Sequence, residues 1–348
     1  MKSLRLSENS KEDASEPLVS VVITCKNNID TIKETLESLK KQTFQNFEVI
    51  VVDSFSEDGT YEYLLSEQAK WDKLKVLREQ GNPASGRNAG ILKARGHYIA
   101  FIDADAYAHL NWLETLINAI RRYEKNGIAG IGGPGEIPPN EDFNAKIIGF
   151  VLSNPLVSLN TRNNARWKTA RYVDHHPFFN AIYRKDIFEK VGLLDTRLDV
   201  GEDVELGWRV RRRAGFKLLY IPNAVVYHHR RRSIVSLAKQ MYRYGYWRML
   251  LRLIDGSLVS LVHYAPLVLI IVMLSMVMLL VLLPLHSLLL CSILVPCLIY
   301  VCLMLGLAAS VAIKFKKLKA FPLAFVSAII THISYGLGAL RGIFRNRL

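Results

Sequence analysis

An α/β domain followed by an α-helical membrane segment is the fold class that this sequence predicts, and three observations carry it. Short β-branched runs alternate with amphipathic helical stretches through the first half. Carboxylates gather where those runs end. Residues 256–313 contain no Asp, Glu, Lys or Arg, 58 consecutive positions, and a bilayer-crossing helix needs only ~20 apolar residues.

The elements follow in order. Met1 to Glu16 is polar and mixed in charge, and is expected to be disordered. Val19 to Thr24 (VSVVIT) reads as a buried strand ending in the loop Cys25-Lys26-Asn27-Asn28. Asp30 is a suitable N-cap for a helix with Ile32, Leu36 and Leu39 on one face. Phe47 to Val52 (FEVIVV) is a second strand, ending in Asp53-Ser54. Strand, helix and strand at this spacing make a βαβ unit, whose ligands bind beyond the carboxyl ends of the strands. Cys25, Asn27 and Asp53 fall on that rim. A carboxylate at Asp53 can accept from ribose hydroxyls or a base edge, although the nearby Asp58-Gly59 also marks a plain turn. Gly86-Arg87-Asn88-Ala89-Gly90 opens a short helix. With Arg87 near its N-terminus, amides and guanidinium would face a phosphate, and a simple helix start is the other reading.

The apolar run Tyr98 to Ile102 leads into Asp103-Ala104-Asp105. Alternation puts both carboxylates on the same side of an extended backbone. Two acids so placed repel each other unless a cation lies between them, yet a solvated strand end has the same pattern. Gly201-Glu202-Asp203 opens a helix running through Trp208 and Val210 to Arg213, closed by Gly215. Acids at a helix start are favoured by the dipole whatever else they do.

With the four pieces in this order, the chain resembles family 2 glycosyltransferases of the GT-A fold, a Rossmann-like, nucleotide-sugar-binding mixed sheet flanked by helices. The resemblance runs from about Leu18 to Arg248. Its most characteristic part is Pro177-Phe178-Phe179 followed by GLLDTRLDVGEDVELGWR at 192–209. It implies that Asp103 and Asp105 bind the metal and diphosphate of a nucleotide-diphosphate-sugar, with His228 or His229 near the diphosphate. It implies a nucleoside site at Asp53 with the Cys25–Asn27 loop, while the phosphate-facing reading of the Gly86–Gly90 helix start puts Arg87 and Asn88 on the donor side. Asp203 becomes the catalytic base and Glu202 its neighbour that tunes it. The cofactor is then one Mg²⁺ or Mn²⁺ acting as a Lewis acid, and Asp203 deprotonates the acceptor hydroxyl. In-line displacement in one step inverts the anomeric centre. Two departures, Thr24-Cys25-Lys26-Asn27 for a Pro-Thr-Tyr-Asn-like loop and Asp53-Ser54 for two acids, lie where the base is read and leave the nucleotide open.

Charge divides the chain sharply. Residues 209–348 hold 19 basic residues and one acid, a net +18, so the first 208 carry −4 of the total +14. From Arg209 to Arg252 there are 12 Lys or Arg and no acid, interleaved with Tyr and Trp. Beside apolar spans this pattern reads as a headgroup belt rather than a nucleic-acid surface. Arg230, Arg231, Arg232, Gln240 and Arg243 are the candidate contacts to a lipid-linked phosphate or diphosphate. Gln240-Met241-Tyr242-Arg243-Tyr244 is similar to the Gln-x-x-Arg-Trp signature of processive synthases. Those surround a channel with spans on both sides of the catalytic domain, whereas here no span is read before it, so a single sugar is added.

The expected partition is a catalytic domain at 17–228, a basic juxtamembrane stretch at 229–255, spans at about 258–283, 287–312 and 321–340, and a tail at 342–348. The catalytic domain before Arg252 is expected to be separable, and Pro284-Leu285-His286-Ser287 to form the turn between the first two spans. The basic segment and Lys314 to Lys319 place the catalytic domain on the cytoplasmic side of the cell membrane. Three full spans would then put Arg341, Arg345 and Arg347 outside, so the third segment either crosses against that rule or lies re-entrant or in the interface. The apolar segments are C-terminal, so no secretory signal is read, and the four cysteines offer no disulfide framework.

The function expected is a membrane-anchored, metal-dependent, inverting glycosyltransferase using a polyprenyl-lipid-linked acceptor at the cytoplasmic face. A polyprenyl-phosphate sugar synthase is the neighbouring alternative. A membrane-tethered metal phosphohydrolase would need two metals and more ligands near Asp103 and Asp105. A transporter is disfavoured because the spans carry no charge.

Overall fold

The computed structural model describes residues 16–158, 167–282 and 288–348. The N-terminal stretch expected to be disordered (its first fifteen residues) and the turn at Pro284–Ser287 lie outside them. β1 (Val19–Cys25), α1 (Ile29–Lys40), β2 (Phe47–Asp53), α2 (Thr60–Gln68) and β3 (Leu74–Arg78) build two successive parallel units. The pairing of β1 with β2 sets Cys25 opposite Asp53. α3 (Pro83–Lys93) leads to β4 (Tyr98–Phe101), and a tight turn to β5 (Ala106–Ala108). α4 (Trp112–Tyr123), β6 (Ile128–Gly132), β7 (Gly135–Glu136), α5 (Phe143–Ser153) and α6 (Pro155–Ser158) follow. Then come β8 (Arg171–Val173), β9 (Ala181–Arg184), α7 (Asp186–Val191), α8 (Glu202–Trp208), β10 (Lys217–Tyr220) and β11 (Val226–His228). α9 (Ile234–Leu250), α10 (Ala265–Leu282), α11 (Leu288–Phe315) and α12 (Ala320–Ile343) complete the chain.

Eight strands form one mixed sheet in the order β3-β2-β1-β4-β9-β6-β10-β8, and β9 runs antiparallel to both neighbours. A small sheet, β5-β11-β7, sits at the end of β4. β1 and β2 are buried on both faces, as continuous apolar runs require. One layer packs α1 and α4 on the sheet through Ile32, Leu36, Trp112 and Leu116, and the other packs α3 and α7 through Ile91 and Phe188.

Two helix starts differ from the sequence reading. α1 begins after Asn28, so Asp30 lies in the first turn, favoured there by the helix dipole, rather than at the cap. α3 begins at Pro83, not Gly86, because Asn82 accepts from the Ser85 backbone N–H and Pro83 needs no donor partner at the first helical position. Arg87 therefore sits past the first turn, away from the helix N-terminus.

Three C-terminal helices are long and apolar enough to cross a bilayer: Leu261–Leu279, Leu294–Phe315 and Ala320–Ile343. They do not hang apart from the catalytic fold. Ile147, Val151, Leu237 and Met241 share one core with Leu307 and Val311 of α11 and Ala324 and Ala328 of α12. That core joins residues on both sides of Arg252. α9 and α12 meet backbone to backbone: a Cβ on Gly338 would stand 2.0 Å from the Tyr242 carbonyl oxygen, and one on Gly245 2.0 Å from that of Tyr335. Gly338→Ala should therefore force the helices apart, at about 1–3 kcal/mol for overpacking. The check is thermal unfolding of the full chain in detergent beside Gly256→Ala, whose Cβ would meet nothing. The Gly338 variant should melt lower and the control like the parent.

Candidate active site

The turn from β4 to β5 carries Asp103 and Asp105, and β11 pairs with β5 so that His228 stands opposite Ala106. His228 Nε2 lies 3.0 Å from Asp105 Oδ1. Arg230 Nη1 lies 3.2 Å from His228 Nδ1, on the far side of the ring from Asp105. The Phe179 ring stacks on the imidazole with centroids 4.9 Å apart. One ligand atom from each of Asp103, Asp105 and His228 lies within 4.8 Å of the others. Two carboxylates and an imidazole, partly open to solvent, fit a single divalent cation of the Mg²⁺ or Mn²⁺ type. Burial pushes the Asp105 carboxyl up, but the neighbouring His228 with its hydrogen bond, and then Arg231, outweigh it and hold it down to about 2. His229 faces elsewhere, between Glu34 and Glu141.

Arg87 links the two acid clusters. Its buried guanidinium donates to Asp103 Oδ1 at 2.9 Å and to Glu202 Oε1 at 2.5 Å, over the Phe178 ring. Both charge-assisted bonds go to protein carboxylates, in place of the open rim expected from the sequence. Burial pushes Glu202 up to about 7, opposed by Arg87 and aided by Asp203. Asp203 follows it at the start of α8, half-buried, with Oδ1 accepting from the Val204 backbone N–H. Asn88 is also turned inward: it exchanges two hydrogen bonds of 2.9 Å with the Leu194 backbone and so pins the approach to α8.

At the other side of the rim the β1 and β2 loops interlock. The Asn27 N–H donates to Ser56 Oγ, and the Glu57 N–H donates back to Asn27 Oδ1. Asp53 is fully buried, accepting from the Ser56 N–H and from Arg78 Nε. Cys25 lies against it, its thiol pushed up by burial and by the Asp53 charge.

A cavity of about 610 Å³ opens from Asp103, Asp105 and Asp203. Its opposite wall is formed by α9, which contributes Lys239, Gln240, Arg243 and Arg248 to the lining. It ends against His263 and Pro266 at the start of the first membrane helix and Thr331 and His332 in the middle of the third. Of the predicted acceptor contacts, Arg230, Arg231, Gln240 and Arg243 line this cavity, and Arg232 is exposed outside its lining.

The family model described as glycosyl transferase family 2 matches residues 20–192. Glycosyltransferase AglE of Haloferax volcanii is 32% identical over 236 residues, 66% of this chain and 72% of that protein. This chain is a family 2 glycosyltransferase. Among other relatives, the uncharacterized glycosyltransferase EpsJ of Bacillus subtilis is 28% identical over 54% of each chain. The mannosyltransferase PcManGT of Pyrobaculum calidifontis, solved with GDP-Man and Mn²⁺, shares the fold at a TM-score of 0.61, with 17% identity over 95% of this chain and 88% of that one. The GT-A architecture and the three apolar C-terminal helices agree with the expectation from sequence.

For a family 2 glycosyltransferase, several groups here went unread in the sequence. Arg78, from the far strand β3, stacks between Tyr61 and Phe55 beside Asp53. Asn180, in the segment after Phe179, is buried and ties Trp112 Nε1 to the Pro134 and Ala224 carbonyls. α5 carries the apolar run Ile147-Ile148-Gly149-Phe150-Val151-Leu152 behind the cap Asp142, a signal that was present locally. Arg248, one helical turn from Tyr244, was visible only as part of a basic run.

Proposed function

We propose that the enzyme moves one sugar from a nucleotide-diphosphate-sugar, with inversion, to a lipid-linked acceptor on the cytoplasmic face of the cell membrane. The observation that carries the reading is the single cavity joining the acids of the β4–β5 turn and α8 to the cations of α9 and to the membrane helices. Asp103, Asp105 and His228 would hold the cation, which when bound supplies Lewis-acid neutralisation of the departing diphosphate. The nucleoside lies over Asp53, Cys25 and Asn27, with Arg78 beside them.

Asp203 accepts the proton of the attacking acceptor hydroxyl as its oxygen bonds to the anomeric carbon and the bond to the diphosphate oxygen breaks. One displacement inverts that carbon. Arg87 keeps Asp103 and Glu202 at fixed distance from each other, so donor and acceptor halves keep register. The α9 cations neutralise the phosphate or diphosphate of the acceptor, whose lipid tail leaves toward α10 and α12. The basic residues flanking the membrane helices support a cytoplasmic catalytic domain. GDP-Man and Mn²⁺ in PcManGT belong to the donor and metal classes proposed here.

Reversing one charge on the basic wall tests the acceptor assignment. Arg243→Glu should raise the acceptor KM by roughly 10–100-fold, the loss of a charge-assisted contact of about 1.5–3 kcal/mol. The donor Kd should stay within about twofold. An unchanged acceptor KM would remove α9 from the acceptor site.

A further inference from the structure

We propose that α12 does not cross the bilayer but lies in the membrane surface on the catalytic side, its apolar stripe turned to that leaflet. The described residues then cross twice, and the end of α12 returns to the catalytic domain. α12 has 24 residues, about 36 Å at 1.5 Å per residue, so a crossing would carry its far end through the ~30 Å hydrocarbon layer.

The structure holds both ends on one side. At the start, the cap residue Lys319 stands 4.6 Å from the ring centre of Phe143, and just before it Lys314, at the end of α11, stands 3.9 Å from that of Phe150, both rings on α5. In the middle, His332 Nε2 lies 3.3 Å from the Val157 carbonyl oxygen, on α6. At the end, Arg252, which precedes the first span, donates to the carbonyls of Gly342, Ile343 and Arg345. Leu348 packs in one cluster with Leu198 and Val204 of the catalytic domain. Start, middle and end of α12 thus all meet residues that come before the first membrane helix.

Burial fits a helix with one lipid-facing side. Half of α12 is buried inside the protein, against 11% and 28% for the other two candidate spans. Ser327, Thr331 and His332 face inward, and Thr331 and His332 floor the acceptor cavity. Val326, Leu337, Leu340 and Phe344 form the exposed apolar stripe. Exposed Lys316, Lys317 and Lys319 flank one end, and Arg341, Arg345 and Arg347 the other. These are the charges expected against anionic headgroups. The conflict between a third span and the basic tail disappears.

The test is topological and independent of activity. In sealed vesicles carrying the full chain tagged at both ends, a membrane-impermeant protease should remove the N-terminal and C-terminal tags together. A C-terminal tag protected where the N-terminal tag is cut would overturn the proposal. A second probe avoids the tag: Arg347→Cys, in a chain with its four cysteines replaced by serine, should react with an impermeant maleimide from the same side as the N-terminus. Reaction only after detergent would overturn it. A fluorophore on Leu337→Cys should be quenched by brominated acyl chains, and absence of quenching would mean that another protein surface, not lipid, covers the stripe.

Discussion

Asp203→Asn should lower kcat by about 10²–10⁴-fold, the range for a positioned general base, or about 3–5 kcal/mol of transition-state stabilisation. The amide keeps the shape of the carboxylate but has no basic lone pair to take the acceptor proton. Donor affinity should change little, because Asp103, Asp105 and His228 lie on a different element. Glu202→Gln should be milder for the base step. It keeps the size of the group that Arg87 holds at 2.5 Å while removing half of that ion pair. The comparison requires acceptor lipid in the assay, since slow donor hydrolysis need not use the same base. If Asp203→Asn is fast while Glu202→Gln is dead, the two roles are reversed. If both stay fast, the acceptor nucleophile arrives already ionised, as a bare lipid phosphate would.

Asp105→Ala should remove metal-dependent donor binding. Losing even an outer-shell partner of a metal ligand typically costs 10–100-fold, so loss of a direct ligand should reach at least ~100-fold in donor Kd with Mn²⁺ present. The substitution also strips His228 of the carboxylate 3.0 Å from its Nε2. Thermal unfolding reads the effect directly. A nucleotide-sugar at ~100 times its Kd stabilises the parent by ~2.7 kcal/mol, and the variant should show none of that shift. Wild-type affinity with intact metal dependence would move the metal site away from the β4–β5 turn.

What was legible in the sequence was local. β1 and β2 stood out because both faces are buried, which turns each strand into an unbroken apolar run. Asp103, Asp105, Glu202 and Asp203 stood out because acids at the ends of such elements are conspicuous. The long uncharged stretch announced membrane helices. What failed was whatever depends on a distant partner. The place of Arg87 turned on Asn82 and Pro83 starting α3 early, and its two carboxylate partners lie 16 and 115 residues away. The strand order, with β9 inserted antiparallel between β4 and β6, has no local mark. Composition gives α12 the length and apolarity of a span, while its glycine contacts with α9 and the inward face of Thr331 and His332 depend on partners that a count of charges cannot see. Composition also gives no sign that α5 and α9 bury apolar residues against α11 and α12, across Arg252.

The central claim is transfer of one sugar to a lipid-linked acceptor. It is tested most directly with the purified full chain in lipid, a panel of labelled nucleotide-sugars, Mn²⁺ and a lipid extract containing polyprenyl-linked acceptors. The label should move into the organic phase only when metal and extract are both present, as one sugar per acceptor with the anomeric configuration inverted from that of the donor. Release of free labelled sugar or nucleotide at the same rate without any lipid acceptor would contradict it.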